Sequence, residues 1–404
     1  MHGKNHKMNN ILYVSENTQQ GSHVHDLSSG IEQNSDFYAL INYSEIYKTK
    51  GKIGFESQIK KLILNNAVDT IIFGIGAGMI IDIFFIKELS ENFNVKIIIF
   101  FSDSEHLFED IDRYYGQTAD LVWVNNPDIE KIFNVYNMPT FCGLGFDTSR
   151  YKVSNMNKSI DVSFVGALNI GNRKEYIEFL INNEINVEYA GYGSSRGIIT
   201  TEKKNRIVSQ SKINLNFTGV LNNHREREIY NRIKGSKGRA QEISLQGGFV
   251  LSEYASGLKE IFNFGDEIAI FNSKEELLDK VTYYLKKENA SERELMAHRA
   301  HERALKKHEV KDVIRRLLIT LQKLPNQSNK TYYIDPNFAR IFTSARFYYM
   351  VYSLLNGNFR SAKKELASIM LYKNLRFKNF YYDIPRAFYH YFRDLTFRNK
   401  AGFE

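Results

Sequence analysis

Arg239 and Glu242 stand three residues apart in residues 236–271 of this chain. On a helix, this spacing places both side chains on one face. A guanidinium at such a position can hold a phosphate, and a carboxylate can accept hydrogen bonds from the hydroxyl groups of a ribose. The pair is therefore typical of a nucleotide pocket, although the same spacing also occurs in weak surface ion pairs.

The residues around this pair predict the elements that position it. Gly247 and Gly248 end the helix, because glycine tolerates the left-handed turn that closes a helix. Residues 249–251 form a short apolar strand, and the small, polar loop 252–257 follows its carboxyl end, where open α/β sheets bind ligands. The helix begins near Lys237 and Gly238, which offer free N–H groups to a phosphate.

The order of these motifs resembles the C-terminal half of GT-B glycosyltransferases, in particular a bacterial group related to spore-maturation glycosyltransferases. The resemblance runs from about residue 161 to 318, is weaker over 11–151, and leaves out the last seventy or so residues. The matching segments are 161–166, Asn172-Arg173, 211–216, Arg239 with Glu242, Gly247-Gly248 with Leu251, Gly257 with Glu260, and 265–277.

The resemblance implies an α/β protein of the GT-B type, with two Rossmann-like domains whose parallel sheets face a cleft, followed by a C-terminal helical extension. We expect an acceptor domain at 1–150, a nucleotide-sugar-binding domain at 151–325 and an aromatic, basic extension at 326–404. The implied activity is transfer of a sugar from a nucleotide-diphosphate donor to a cell-surface glycan, a lipid-linked acceptor or a protein. A UDP-sugar is the first guess for the donor, with no cofactor and no metal.

The resemblance also assigns candidate site residues. The donor-binding candidates are Arg173, Lys237, Arg239, Glu242, Ser256, Gly257 and Glu260; the catalytic candidates are His25 and Asp103; and the acceptor-side loop holds Gly21 and Ser22. A histidine can take a proton near neutral pH. Plainer roles stay open: a solvated histidine, a helix N-cap for Asp103, and a first-turn carboxylate for Glu260.

One position departs from the pattern of retaining GT-B enzymes. Those enzymes carry two glutamates separated by seven residues, and Lys234 stands where the first of them would be. The donor sugar and the stereochemical course are therefore open. A nucleotide-sugar epimerase of the same fold, or a non-catalytic assembly or binding protein, remains as an alternative function.

Composition agrees with a globular protein. The 404 residues are 43% hydrophobic with five prolines, and the single cysteine, Cys142, excludes a disulfide framework. The polar first ten residues do not look like a signal peptide, which predicts a cytoplasmic protein. Net charge is +8, and residues 203–239 hold ten basic and two acidic residues, where a diphosphate would bind.

Apolar strands alternate with helical segments along the first two thirds of the chain. Strands are expected at 11–14, 70–73, 95–101, 121–124 and 139–142, then at 161–166, 187–190, 213–216 and 249–251. We expect a polar loop over 16–30 and a helix over 79–92. The glycines of 74–78 lack a complete dinucleotide fingerprint and indicate close packing at a turn.

The tail from residue 332 holds twenty aromatic residues among seventy-three, with a helical hairpin predicted around the turn 356–358. One such hairpin cannot bury its own apolar face, so we expect it to pack on the N-terminal domain. A basic, aromatic surface also suits peripheral contact with the inner face of a membrane. Nucleic acid is an unlikely third partner, because no nucleic-acid-binding motif is present.

Overall fold

Two separate parallel sheets organise the protein in the computed structural model, which describes residues 9–16, 23–154, 156–220, 234–236, 238–325, 332–372 and 377–401. The first sheet has the order β2-β1-β3-β4-β5-β6 and the second the order β11-β10-β9-β7-β8. Every strand pair is parallel. The strands are β1 (Asn10–Ser15), β2 (Phe37–Asn42), β3 (Thr70–Gly74), β4 (Lys96–Phe101), β5 (Leu121–Val124), β6 (Thr140–Cys142), β7 (Ile160–Val165), β8 (Val187–Ala190), β9 (Ser211–Asn216), β10 (Val250–Glu253) and β11 (Ala269–Phe271).

Helices cover the faces of both sheets, as the predicted α/β class requires. Around the first sheet they are α1 (His23–Glu32), α2 (Tyr43–Asn66), α3 (Ile83–Phe93), α4 (Ser104–Leu107), a π turn (Phe108–Asp112), α5 (Arg113–Gly116) and α6 (Pro127–Val135). Around the second they are α7 (Arg173–Asn182), α8 (Thr201–Gln210), α9 (Arg239–Leu245), α10 (Leu258–Ile261), α11 (Lys274–Leu285) and α12 (Ala290–His308). The chain continues with α13 (Val310–Lys323), α14 (Pro336–Leu355), α15 (Phe359–Tyr372) and α16 (Phe377–Ala401).

Two local predictions are wrong. The expected polar loop 16–30 is wrong from residue 23 onward, because α1 begins at His23 and its Leu27 and Ile31, four residues apart, are both fully buried. The helix expected from residue 79 begins only at Ile83. Asp82 caps it by accepting a hydrogen bond from the Phe84 amide at 2.9 Å, and the residues before it form a loop.

The helix α13 belongs to the core of the first sheet, although the expected second domain runs to residue 325. Its buried side chains Val313, Ile314, Leu317 and Leu321 pack in the same apolar cluster as residues of β1, β3 and β5. The apolar stripe of α13 explains this arrangement, because the stripe can be buried only against another apolar face. The chain therefore returns to the first sheet after α12.

The C-terminal hairpin of α14 and α15 packs on the N-terminal sheet through a buried charged cluster. Arg346 and Glu365 are both fully buried and lie 3.3 Å apart, and Lys52 lies 3.5 Å from the same carboxylate. Lys52 also pairs with Asp82. Burial alone would raise the pKa of Asp82, but the charges of Lys52 and Arg346 lower it below its usual value.

A single glycine lets the hairpin approach this closely. Gly51 interrupts α2 with φ 65° and ψ −175°, a conformation that essentially only glycine adopts. A β-carbon at Gly51 would lie 2.4 Å from the hydroxyl oxygen of Ser361 on α15. The same hydroxyl accepts a hydrogen bond from the Ile53 amide at 3.2 Å, so the kink of α2 and the docking of α15 depend on each other.

Candidate functional site

The carboxyl ends of the two sheets face each other across a cleft. A cavity of about 550 Å³ lies between them. Glu105, Asn126 and Asp128 line it from the first sheet, and Lys234 and Glu253 line it from the second. Parallel α/β sheets bind ligands at this edge, so the cavity is the natural place for a substrate.

The predicted donor loop contacts the first domain directly. Ser256 donates a hydrogen bond to Asp128, and Glu260 forms an ion pair of 2.5 Å with Lys131. A β-carbon at Gly257 would lie 2.7 Å from the side-chain oxygen of Asn126, so this position has room only for glycine. The three residues thus close the cleft on one side, and a donor-binding role for them stays a prediction.

Arg239 begins α9 and lies against the end of β7. Its guanidinium stands 5.0 Å from the centre of the Phe164 ring, and a β-carbon at Gly166 would lie 2.5 Å from its Nη2 atom. Burial lowers the pKa of Arg239, and the charge of Glu242 offsets part of this effect. The Nη1 atom is buried, and no described residue accepts a hydrogen bond from it. A buried donor of this kind is costly unless an anion satisfies it.

Arg173 lies close to Arg239 and connects the loops after β7 and β9. It donates hydrogen bonds to the carbonyl oxygens of Ala167 at 2.9 Å and Gly219 at 3.0 Å. Burial, followed by the positive charge of Arg239, lowers the pKa of Arg173 to about 9. Two arginines held this close are favourable when a negative ligand lies between or beside them.

Lys234 and Glu253 form an ion pair at the carboxyl edge of the second sheet. One oxygen of Glu253 accepts hydrogen bonds from the amide of Thr218 at 2.9 Å and the amide of Gly219 at 3.2 Å. Lys234 stands where retaining GT-B enzymes carry the first of their two glutamates. In this structure, Glu253 of β10 places a carboxylate beside that position. Glu253 is not among the site residues predicted from the sequence, although its position at the carboxyl end of an apolar strand was a usable signal.

Glu242 takes part in a polar network that joins the two domains. One carboxylate oxygen lies 3.4 Å from the hydroxyl of Tyr151, and the other lies 3.1 Å from the ammonium of Lys204. The same tyrosine hydroxyl lies 3.4 Å from Asp26, which pairs with Arg150. Burial raises the pKa of Asp26 to about 6, although Arg150 lowers it. The ribose-binding role of Glu242 stays a prediction.

The two histidines of the N-terminal loop occupy the first turn of α1. His23 packs near Phe146, with ring centres 5.7 Å apart, and its Nε2 atom is buried without a partner among the described residues. Burial lowers the pKa of His23 to about 4, so its imidazole is neutral at pH 7. His25 is half-buried, and its proposed role as a base stays a prediction.

Asp103 occupies the N-cap position of α4, but its side chain makes no capping hydrogen bond there and is exposed. Glu105, two residues later, lines the cleft and is 8% exposed. Its Oε1 atom accepts a hydrogen bond from the Asn126 side chain at 2.9 Å. Its Oε2 atom is buried with no hydrogen-bond donor among the described residues. Asp103 is predicted from the sequence as a catalytic residue, whereas Glu105 is not among the predicted site residues.

Asp112 is a third carboxylate in the segment that follows β4, and its raised pKa predicts that the unfolding free energy depends on pH. It is 2% exposed, and burial raises its pKa to about 7, although Ser104 donates a hydrogen bond to it at 2.7 Å. A raised pKa stabilises the folded state below the unfolded pKa, and this stabilisation is lost as the pH rises through 7. Between pH 4 and pH 8, the unfolding free energy of Asp112→Asn should therefore gain roughly 4 kcal/mol relative to wild type.

Urea denaturation of both proteins at several pH values measures this difference. Glu109→Gln is the matched control, because the Glu109 side chain is 70% exposed and should show little change with pH. A difference between Asp112→Asn and wild type that stays constant from pH 4 to pH 8 would contradict the expectation.

Three predicted site residues, Gly21, Ser22 and Lys237, lie outside the described residues. Within the described ranges, no group of three histidine, cysteine, aspartate or glutamate side chains is placed to hold a metal ion. No helix in the described part of the chain combines the length and apolarity needed to cross a bilayer.

Comparison with known proteins agrees with this architecture. Residues 167–319 match a protein-family model described as glycosyl transferase-like. HepE from Anabaena, solved with UDP and glucose, superposes with a TM-score of 0.55 at 13% identity over 78% of this chain and 99% of HepE. Sucrose-phosphate synthase from Thermosynechococcus elongatus gives 0.54 at 10% identity, over 78% of this chain and 99% of that chain. AviGT4, a glycosyltransferase involved in avilamycin A biosynthesis, gives 0.51 at 12% identity, over 78% and 97%. No curated protein sequence matches the chain.

These similarities define the class of fold. The chain has the GT-B fold found in these glycosyltransferases, which confirms the predicted fold class and the resemblance to GT-B glycosyltransferases. The finer resemblance to the spore-maturation group stays a prediction. The coverage also shows a difference, since HepE is matched almost end to end while about a fifth of this chain has no counterpart in it.

Proposed function

We propose that this protein is a glycosyltransferase that moves a sugar from a nucleotide-diphosphate donor to an acceptor held by the N-terminal domain. The proposal rests on the environment of Arg239. Its buried guanidinium lies at the carboxyl end of β7, with one nitrogen that no described residue satisfies. A diphosphate would supply the missing acceptor and would be stabilised as its charge develops during transfer.

The remaining roles follow from positions in the cleft. Arg173 adds a second positive charge beside Arg239, and Glu242 on the next turn of α9 is the proposed ribose ligand. UDP-sugar is the first donor to test, because HepE was solved with UDP and with UDP-glucose. The acceptor is a surface glycan, a lipid-linked glycan or a protein. With two arginines available for the leaving diphosphate, the proposed transfer uses no metal ion.

A binding and turnover experiment tests this function. Wild-type protein is screened by thermal shift against UDP, GDP, CMP and dTDP and their sugars, with and without EDTA. A nucleotide at a hundredfold excess over its dissociation constant should stabilise the fold by about 2.7 kcal/mol. Conversion of the donor sugar without any acceptor would indicate an epimerase instead. Failure of every nucleotide to bind would favour a non-catalytic assembly protein.

Glu105 is the proposed general base for the acceptor hydroxyl, because it lines the cleft and no described residue donates a hydrogen bond to its Oε2 atom. We expect Glu105→Gln to lower kcat by about 10²–10⁴-fold while donor affinity stays unchanged. The substitution keeps the shape of the side chain and one oxygen, so Asn126 can still donate to it. Initial rates and calorimetric UDP titrations measure the two quantities separately.

Asp103→Asn is the matched control for this substitution. The Asp103 side chain is exposed, and its carboxylate is the catalytic candidate predicted from the sequence. A large loss of kcat in Asp103→Asn with normal turnover in Glu105→Gln would transfer the role to Asp103. A loss below tenfold in both variants would contradict a carboxylate base from this segment and would favour a retaining reaction.

A further inference from the structure

The C-terminal extension builds a groove on the N-terminal domain that the proposed function does not explain. Two adjoining cavities, of about 190 and 430 Å³, lie where α14 and α16 meet the carboxyl edge of the first sheet. Tyr348, Tyr349 and Arg386 line both of them. Glu16, which follows β1, and Gly78, which follows β3, complete the wall on the side of the sheet. We name this combined space the tail groove.

The extension also fixes the glycine loop that forms one wall of the tail groove. Arg346 donates hydrogen bonds to the carbonyl oxygens of Met79 and, at 3.1 Å, of Ile80. The Tyr349 hydroxyl donates to the carbonyl oxygen of Gly78 at 2.9 Å. Met79 has a positive φ of 47°, which is uncommon for a side chain of this size and persists only where neighbouring groups hold it. The glycine motif of 74–78 therefore serves the extension rather than a dinucleotide.

The charges in the tail groove are unevenly satisfied. Asp394 already pairs with Lys48 at 3.3 Å, and Asp383 accepts a hydrogen bond from Ser344 at 2.7 Å, while burial raises the pKa of Asp383. Arg340 and Arg386 both line the larger cavity. Neither arginine forms an ion pair with a described carboxylate.

An aromatic neighbour, Tyr348, also positions Arg386 in the tail groove. Its guanidinium lies 5.1 Å from the centre of the Tyr348 ring, whose hydroxyl contacts His390 at 2.7 Å. The Tyr382 side chain is 71% exposed beside the same cavity. Arg386 also acts by charge on Asp383, and Arg340 donates a hydrogen bond to Asn337. Flat aromatic rings next to arginines without an ion pair among the described residues provide an apolar surface for a sugar ring and a planar donor for a carboxylate or phosphate.

We propose that the tail groove is an acceptor subsite that binds an anionic sugar, one bearing a carboxylate or a phosphate. This inference rests on the proposed glycosyltransferase function and adds the chemical class of the acceptor. The extension, rather than the Rossmann-like domain alone, then selects the acceptor.

The topology places the tail groove beside the catalytic cleft. The groove walls follow β1 and β3, while the cleft residues Glu105 and Asn126 follow β4 and β5. In the order β2-β1-β3-β4-β5-β6, β3 and β4 are neighbours, so both sites lie on one edge of one sheet. Adjacent strands are about 4.8 Å apart, and a saccharide of a few units can therefore reach from the groove to the cleft.

Three forms of one sugar test the subsite. Glucose, glucuronate and glucose 6-phosphate are titrated into the full-length protein by ligand-observed NMR, and UDP is titrated in parallel by calorimetry. We expect both anionic sugars to bind at least tenfold more tightly than glucose. Arg386→Gln should remove this preference and leave UDP affinity unchanged. Arg315→Gln is the control, because Arg315 is 62% exposed on α13 and should retain the preference.

The outcomes separate the subsite from the transferase itself. Equal affinity for all three sugars, no sugar binding, or an anion preference that survives in Arg386→Gln would each overturn the subsite. Absence of UDP binding would contradict the proposed function instead. Sedimentation with phosphatidylglycerol vesicles, lost in Arg386→Gln and found without any sugar binding, would replace the anionic sugar by a membrane surface.

Discussion

Arg239→Met is expected to weaken UDP binding about a hundredfold while leaving the melting temperature equal to or above that of the wild type. The methionine keeps the apolar contact with Phe164 and removes the charged guanidinium. The Nη1 atom of that guanidinium has no hydrogen-bond acceptor among the described residues. Two charge-assisted hydrogen bonds to a diphosphate account for a loss of this size. In the unbound protein, the substitution removes the free-energy cost of burying an unsatisfied cation, so the fold should not be destabilised. Calorimetric titration with UDP and a thermal scan measure the two effects.

Arg196→Met is the matched control for this substitution. Arg196 lies in the same domain, is 58% exposed and pairs with Glu188, so its removal should change neither quantity measurably. Normal UDP affinity in Arg239→Met would remove Arg239 from the donor site and with it the main support for the proposed function. A large fall in melting temperature would instead show that Arg239 holds the fold together.

Glu365→Ala is expected to destabilise the N-terminal domain by about 3–5 kcal/mol. Both Arg346 and Lys52 face this carboxylate from buried positions, so the substitution leaves buried positive charge with less compensation. Trp123, the single tryptophan, lies fully buried in β5, so its fluorescence reports the unfolding of the first sheet. Urea denaturation followed at this tryptophan measures the loss.

Two further variants separate the charge effect from packing. Glu91→Ala removes an exposed glutamate of an i,i+4 pair with Lys87, and we expect it to cost less than 1 kcal/mol. Combining Arg346→Met with Glu365→Leu replaces two charges by apolar groups and should recover much of the stability lost in Glu365→Ala. A cost below 1 kcal/mol for Glu365→Ala itself would mean that the cluster does not hold the extension in place.

Most strands could be predicted from the sequence because their signal is local. The apolar runs 121–124 and 187–190 coincide with β5 and β8, and the other predicted strands differ from the observed ones by one or two residues at an end. The strand β2 and most of α2 were not predicted. Gly51 divides α2 into two helical segments, and the weak apolar periodicity of α2 gives little local signal for either of them.

The sequence by itself determined the fold class and several candidates on the second sheet, because strand alternation and the Arg239–Glu242 spacing are encoded within short windows. Only the tertiary structure decided which groups meet across the cleft. Glu105 and Glu253 are far apart in the chain, and they line one cavity because the carboxyl ends of two parallel sheets face each other. The tail groove depends on the same cause: Arg386 and Gly78 lie more than three hundred residues apart, and no local pattern specifies such contacts.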